Sequence, residues 1–364
     1  MDRRDRLATY LDSHELESIW FARPDAFTWL TGGSNLVDRT AATGVAAVGF
    51  DGDWQVVVDS IEAARIAAEE LPAIDADVTQ FDWYDRTLPE AIASVASEPA
   101  AADIDVSGFD RVDPTPLRVT LSDRDRAHYR ELGREVAEAV ESVCREVTST
   151  DTETEVAAAL QIALTAREIE PTVVLVGGED RAQRYRHYTS TDTELGGYVL
   201  ASVTARRDGL YASCTRTVAF DPPPWLESHN RVAASVETTA IAATRAGVST
   251  SGTAGDVFEA IRNAYAAHGH PEEWRKHHQG GATGFAGREW FATPEHEAAL
   301  TTPTAYAWNP TVQGAKSEDT VLITDDEIEI LTETGNWPQE AVDAIGYDHS
   351  LDRPRPLERP DASE

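Results

Sequence analysis

The spacing of apolar residues predicts alternating helices and strands over roughly the first 120 residues. Apolar positions three or four residues apart, from Leu7 to Ile19, predict an amphipathic helix over residues 3–19, and a second helix follows at 61–71. Apolar runs bounded by Gly, Asp or Pro predict strands at 18–22, 43–50, 54–59, 78–83 and 102–107. Such alternation is typical of a small α/β domain.

A second pattern begins at Ser122, after the Pro-containing segment 113–116, which predicts a linker. Ser122 is a good N-cap for the first of four predicted helices, at 123–147, 150–169, 224–246 and 255–268. Predicted strands lie at 171–178, 198–205, 209–220, 305–310, 320–324 and 328–333. We expect domains at 1–120 and 121–338, and a mobile tail at 339–364, which is rich in Pro and Asp.

Charge limits the possible partners. The chain has 364 residues, of which 64 are acidic and 31 basic, giving a net charge of −33. This excess disfavours nucleic acid and anionic membranes as partners. An acidic, Lys-poor composition suits a protein that stays soluble in concentrated salt, so we interpret the source as halophilic. No apolar run is long enough for a signal peptide or a membrane span, and we expect a cytoplasmic protein.

The chain has only two lysines, and both lie in motif-like segments. Lys276 begins K-H-H-Q-G-G-A-T-G-F-A-G-R-E, and Lys316 begins K-S-E-D-T-V-L-I-T. The first segment is rich in Gly, which permits close approach of the backbone to a ligand. His277 and His278 are adjacent there, so we expect their side chains to diverge. A flexible ammonium could anchor a substrate carboxylate or phosphate.

Five short motifs follow one another along the chain in the same order as in a known family of proteins. They are R-H-Y (186–188), T-R-T-V (215–218), the His-Gly loop (277–284), W-N-P (308–310) and E-D-T-V-L-I-T (318–324). In this order they resemble the pita-bread metallopeptidase family, which includes methionine aminopeptidase, aminopeptidase P, prolidase and creatinase. The resemblance implies an enzyme of the hydrolase class with a pita-bread C-terminal domain.

The first half of the chain also resembles this group. F-T-W-L-T-G-G-S-N (27–35) is similar to the strand-then-glycine segment of the creatinase N-terminal domain. The fold class implied is α/β (α+β), with a creatinase-type N-terminal domain before the pita-bread domain. The resemblance further implies a homodimer.

The residues at the family's metal-ligand positions differ from the family's pattern. That pattern uses two Asp, one His and two Glu to hold two divalent ions. The corresponding positions here are Ser202, Ser213, His278 (or His277), Asn309 and Glu318. Neutral hydroxyls and an amide contribute no negative charge, so we predict no dinuclear metal and no cofactor. A single divalent metal on His278 and Glu318, with or without His277, is left open.

The resemblance also implies roles for individual residues. We predict His187 and His278 as proton carriers, and Glu318 as the group that orients or deprotonates water. The predicted substrate-binding residues are Ser202, Ser213, Arg216, Lys276, His277, Arg288, Asn309 and Lys316.

Three functions are consistent with this sequence. The first is a creatinase-like hydrolysis of a C–N bond in a small amide, guanidino or amino-acid-like compound, without a dinuclear metal. The second is an Xaa-Pro aminopeptidase-type metallopeptidase with unusual ligands. The third is a catalytically inactive pita-bread module that binds a peptide. The expected partner in each case is a small molecule or a short peptide.

Overall fold

A computed structural model describes residues 2–359, which divide between Ser122 and Asp123 into two units. The helices of the first unit are α1 (Arg3–His14), α2 (Pro24–Thr31), α3 (Ala63–Glu69), α4 (Leu88–Val95) and α5 (Thr115–Arg118). Its strands are β1 (Ser18–Phe21), β2 (Ala46–Phe50), β3 (Trp54–Asp59), β4 (Asp77–Phe81), β5 (Ala100–Ala102) and β6 (Asp110–Arg111). They form one mixed sheet in the order β4-β3-β2-β1-β5-β6.

Three predictions for the first unit are wrong. The strand predicted at 102–107 overlaps β5 only at Ala102. The segment 27–35 does not begin as a strand, because α2 runs through it from Pro24 to Thr31. Pro24 suits the first turn of a helix, and Gly32 ends α2 in the left-handed conformation with φ of 76°. The predicted linker at 113–116 is partly helical, because the short helix α5 begins at Thr115.

The second unit carries the five motifs that resemble the family. Its helices are α6 (Asp123–Cys144), α7 (Glu153–Thr165), α8 (Glu179–Arg184), α9 (Leu226–Val248) and α10 (Ala254–Ala267). Its first strands are β7 (Glu170–Gly178), β8 (Tyr198–Arg207), β9 (Leu210–Ala219), β10 (Gly280–Thr283), β11 (Thr304–Trp308) and β12 (Thr311–Val312). The others are β13 (Ala315–Lys316), β14 (Asp319–Ile323), β15 (Ile328–Ile330), β16 (Gln339–Asp343), β17 (Ser350–Pro354) and β18 (Leu357–Glu358). Within residues 2–359, every helix is too short or too polar to cross a membrane.

A tight hairpin fixes the register of β8 and β9. Asp208 and Gly209 form its two-residue loop, with φ of 51° and 82°. Positive φ at both positions matches the twist of the flanking strands, and Asp-Gly is a favoured pair for such a turn. The resulting register sets Ser202 opposite Thr215.

Two four-stranded sheets meet beside this hairpin. One has the order β18-β9-β8-β7 and the other β10-β11-β14-β15. The backbone N–H of Thr215 in β9 donates to the carbonyl of Glu318, at 2.9 Å, immediately before β14. This contact brings the T-R-T and E-D-T motifs together.

The expectation of a mobile tail from residue 339 is wrong for residues 339–359. Strands β16 and β17 form an antiparallel hairpin, and β18 pairs in parallel with β9. Arg353, in β17, is fully buried. Strand pairing and an ion pair hold this segment in place, so its order does not depend on a strong apolar pattern. Residues 360–364 lie outside the described part of the chain.

A buried chain of five charges links these elements. Arg216 contacts Glu141 at 3.2 Å and Asp319 at 3.0 Å. Arg353 contacts Glu237 and Asp319, both at 2.7 Å. The five residues belong to α6, β9, α9, β14 and β17. Each carboxylate is paired, as charges in a low-dielectric interior must be.

We expect Arg353→Met to destabilise the protein by about 3–5 kcal/mol, because it leaves Glu237 and Asp319 without their shared cation. Urea unfolding followed by circular dichroism measures the loss. Arg231→Met is the matched control, since Arg231 pairs with Glu340 at the surface, and its midpoint should stay near that of the wild type. Equal midpoints for both variants would contradict a structural role of the charge chain.

Candidate active site

A cavity of about 500 Å³ opens between the two sheets of the second unit. Seven of the predicted site residues contribute to its polar lining: His187, Ser202, His278, Arg288, Asn309, Lys316 and Glu318. Its apolar wall is formed mainly by Val173, Leu175, Val203 and Phe291. The size and the mixture of apolar walls with a few convergent polar groups are those of a small-molecule site.

Ser202 and Thr204 of β8 line the cavity, and Ser213 and Thr215 of β9 are buried beside them, outside the lining. Ser202 Oγ and Thr215 Oγ1 are 2.8 Å apart, as are Thr204 Oγ1 and Ser213 Oγ. Sequence analysis named the two serines but missed the two threonines. The signal was present, because residues two apart on a strand share a face.

The Glu318 carboxylate is held between two cations. Lys316 Nζ lies 2.7 Å from Oε2, and Arg288 Nη2 lies 2.8 Å from Oε1. Thr215 Oγ1 also donates to Oε2, at 3.2 Å. Burial would raise the pKa of Glu318, but Lys316 and Arg288 outweigh it and hold the pKa below its usual value. Glu318 is therefore an ionised and fully engaged carboxylate.

Glu318 with its two cations, Lys316 and Arg288, is called the clamp below. Three imidazoles lie beside this clamp. His187 Nε2 is 3.0 Å from His277 Nε2, and the ring centroids of His277 and His278 are 4.2 Å apart. The expectation that the adjacent side chains diverge is thus wrong. His277 is buried behind the other two, which line the cavity. His278 Nδ1 also approaches the Asn309 amide nitrogen at 3.4 Å.

These imidazoles are neutral at pH 7. Desolvation lowers the pKa of His278 to about 4, with Arg288 and Lys316 adding to the effect. Burial and then Lys316 lower the pKa values of His187 and His277 as well.

Two predicted substrate-binding residues lie elsewhere. Arg216 is fully buried and engaged by Glu141 and Asp319, so no substrate can reach its guanidinium. Lys276 has a half-exposed side chain that pairs with Glu273 at 2.9 Å, and it is not among the residues that line the cavity described above. Sequence alone could not separate the two lysines, since both flank the relevant motifs.

The residues of this site do not fit a pair of divalent metal ions. Ser202, Ser213 and Asn309 are neutral and poor ligands for such ions. The one carboxylate, Glu318, has both oxygens bound by side-chain cations. Lys316 Nζ further lies 3.4 Å from Ser202 Oγ, among the positions that the metals would need.

Comparisons with known proteins agree with this fold. The Metallopeptidase family M24 model matches residues 127–325, and the Creatinase/Prolidase N-terminal domain model matches residues 3–113. The chain belongs to metallopeptidase family M24. The predicted family and the predicted two-part fold are thereby confirmed, and the family assigns the chain to the hydrolases that act on C–N bonds.

Solved structures similar to the chain have the same fold at low identity. The prolidase from Pyrococcus horikoshii OT3 is 18% identical, with a TM-score of 0.76 over 91% of this chain and 98% of that one. Dipeptidase PepE from Mycobacterium ulcerans is 20% identical, with a TM-score of 0.73 over 91% and 95%. The N-terminal domain of FACT complex subunit SPT16 from chickpea is 12% identical, with a TM-score of 0.67 over 91% and 95%. No curated protein matches the sequence significantly.

M24 enzymes commonly use divalent metals, whereas the ligand positions of this member are mostly neutral.

The pKa of His278 provides a test of this electrostatic description. We expect its imidazole to titrate near pH 4 in the folded protein, well below the ordinary 6.5. Arg288→Gln should raise the His278 pKa, because it removes a nearby positive charge. Two-dimensional NMR of the imidazole nitrogens measures both values. A wild-type transition near 6.5 would contradict the proposed field of the two cations.

The same shift affects stability. The folded chain binds this proton more weakly than the unfolded chain does, so the contribution is present above pH 6.5 and is lost as the pH falls towards 4.

Proposed function

We propose that this protein hydrolyses a C–N bond in a small, negatively charged amide, guanidino or amino-acid-like compound, without a dinuclear metal centre. The observation that carries the proposal is the clamp on Glu318, in which Lys316 and Arg288 provide the positive charge of the cavity. One carboxylate against two cations leaves one positive charge in excess.

The excess charge favours an anionic substrate group. Lys316 and the Arg288 side chain are buried, so their attraction for an anion is little screened by solvent. Arg288 offers a planar guanidinium suited to a carboxylate, and the Lys316 ammonium can approach a developing oxyanion. In this proposal Glu318 is a positioning residue that holds both cations, and it is not the general base.

The neutral imidazole of His278 is the proton carrier. Water adds to the carbon atom of the C–N bond, and the proton it loses passes to His278. The same proton then goes to the leaving nitrogen as the C–N bond breaks. A low pKa makes His278 a weak base but a strong acid once protonated, which suits donation to a poor leaving group. His187 is the second candidate for this transfer.

Asn309 supports a substrate that has an N–H group. Its Oδ1 is buried and has no hydrogen-bond partner among residues 2–359. A buried acceptor without a partner costs free energy, which a substrate N–H donor would recover. An amide or a guanidino compound has such a donor next to the C–N bond that is broken.

The two lysines give a matched pair of variants. We expect Lys316→Met to lower kcat/KM by about 100-fold or more, because it removes a preorganised cation from the cavity. Lys276→Met should leave kcat/KM unchanged, since Lys276 lies outside the cavity lining. Release of amine or ammonia from a panel of carboxylate-bearing amides and guanidino compounds measures the activity. Full activity in Lys316→Met, or binding across the panel without turnover, would overturn the proposal.

Metal removal tests the other half of the proposal. We expect enzyme dialysed against a strong chelator to keep its hydrolytic activity, because no pair of ions fits the site. The assay is repeated with Mn²⁺, Co²⁺ or Zn²⁺ added back, and bound metal is measured by elemental analysis. Loss of activity that is restored by two equivalents of metal would contradict the proposal and favour the metallopeptidase alternative.

A further inference from the structure

Three histidines from two separate segments converge at the edge of the cavity. His187 follows α8, whereas His277 and His278 follow a 3-10 turn at residues 273–275. One nitrogen of each ring lies within 4.8 Å of one nitrogen of each of the others. Convergence of three imidazoles from distant parts of a chain is a common arrangement of metal sites.

We propose that His187, His277 and His278 bind one divalent transition-metal ion of the zinc class. A tetrahedral ion with metal–nitrogen bonds of about 2.0–2.1 Å requires its ligand nitrogens to lie about 3.3 Å apart. His187 Nε2 and His277 Nε2 are 3.0 Å apart, close to that separation. A hydrogen bond between two imidazoles would explain this pair, but it would not explain the third ring beside them.

The ligand type determines which ions this site prefers. Imidazole suits Zn²⁺, Cu²⁺ and Ni²⁺ better than the oxygen-seeking Mg²⁺ or Ca²⁺. We therefore expect selectivity for the first group.

This site differs from the dinuclear site of the family pattern. It uses none of Ser202, Ser213, Asn309 and Glu318, and it adds His187 and His277 as ligands. Three protein ligands leave a fourth position open, and two of the three rings line the cavity. Water or a substrate group could fill that position.

A bound ion would inhibit the proposed hydrolysis. This consequence rests on the proposed function, in which His278 accepts a proton through a nitrogen lone pair. A metal on His278 would occupy a lone pair and add positive charge beside it, so proton transfer would be blocked.

The experiment titrates chelator-treated full-length protein with Zn²⁺ by calorimetry. We expect one ion per chain, and Co²⁺ in place of Zn²⁺ should give the visible absorption bands of a tetrahedral site. His277→Gln should weaken Zn²⁺ binding by about 10-fold or more. His187→Gln, at a more exposed position, should do the same and serves if His277→Gln does not fold.

Two controls sharpen the test. His268→Gln should leave Zn²⁺ affinity unchanged, because His268 bonds Ser235 away from the three rings. Lys316→Met should strengthen Zn²⁺ binding, because it removes a positive charge that acts on His187 and His277. Less than one ion per chain, or equal affinity in wild type and both cluster variants, would overturn the inference. Binding is read without turnover, so its failure is distinguishable from failure of the proposed hydrolysis.

Discussion

The folded structure of the second unit depends on the pairing of its buried carboxylates with cations. Asp319 lies between Arg216 and Arg353, and each arginine reaches a further carboxylate, Glu141 or Glu237. The chain of charges joins two long helices to strands from both sheets and from the C-terminal hairpin. Pairing matters more than number here, because one unpaired buried charge costs several kcal/mol.

The pairing of buried charges also determines the arrangement of the candidate active site. Glu318 and Asp319 are adjacent, and their side chains serve different environments. Asp319 is paired within the protein by Arg216 and Arg353, whereas Glu318 is paired at the cavity by Lys316 and Arg288. Two neighbouring carboxylates are thus each held by two cations. Asp319 stabilises the buried interior, and Glu318 holds the cations of the proposed active site.

Local signals predicted much of this from the sequence. The apolar runs at 198–205 and 209–220 predicted β8 and β9, and the ordered motifs placed Ser202 and Glu318 in one site. Two features could not be predicted from the sequence. Arg353 lies in a polar segment whose order comes from distant partners, and Lys276 and Lys316 have equally suggestive neighbours. Only tertiary packing, which sequence spacing does not encode, separates the buried lysine from the exposed one.

Charge balance explains why a neutral ligand set can coexist with this fold. Four carboxylates and a histidine would offset two dications, giving a site of no net charge. Here three of the four carboxylates are replaced by Ser202, Ser213 and Asn309, and the remaining Glu318 faces two monovalent cations. A pair of dications at these positions would leave three positive charges uncompensated, whereas Lys316 and Arg288 leave only one charge in excess. An anionic substrate would neutralise that charge, so the substitutions that disfavour the metals are the ones that favour such a ligand.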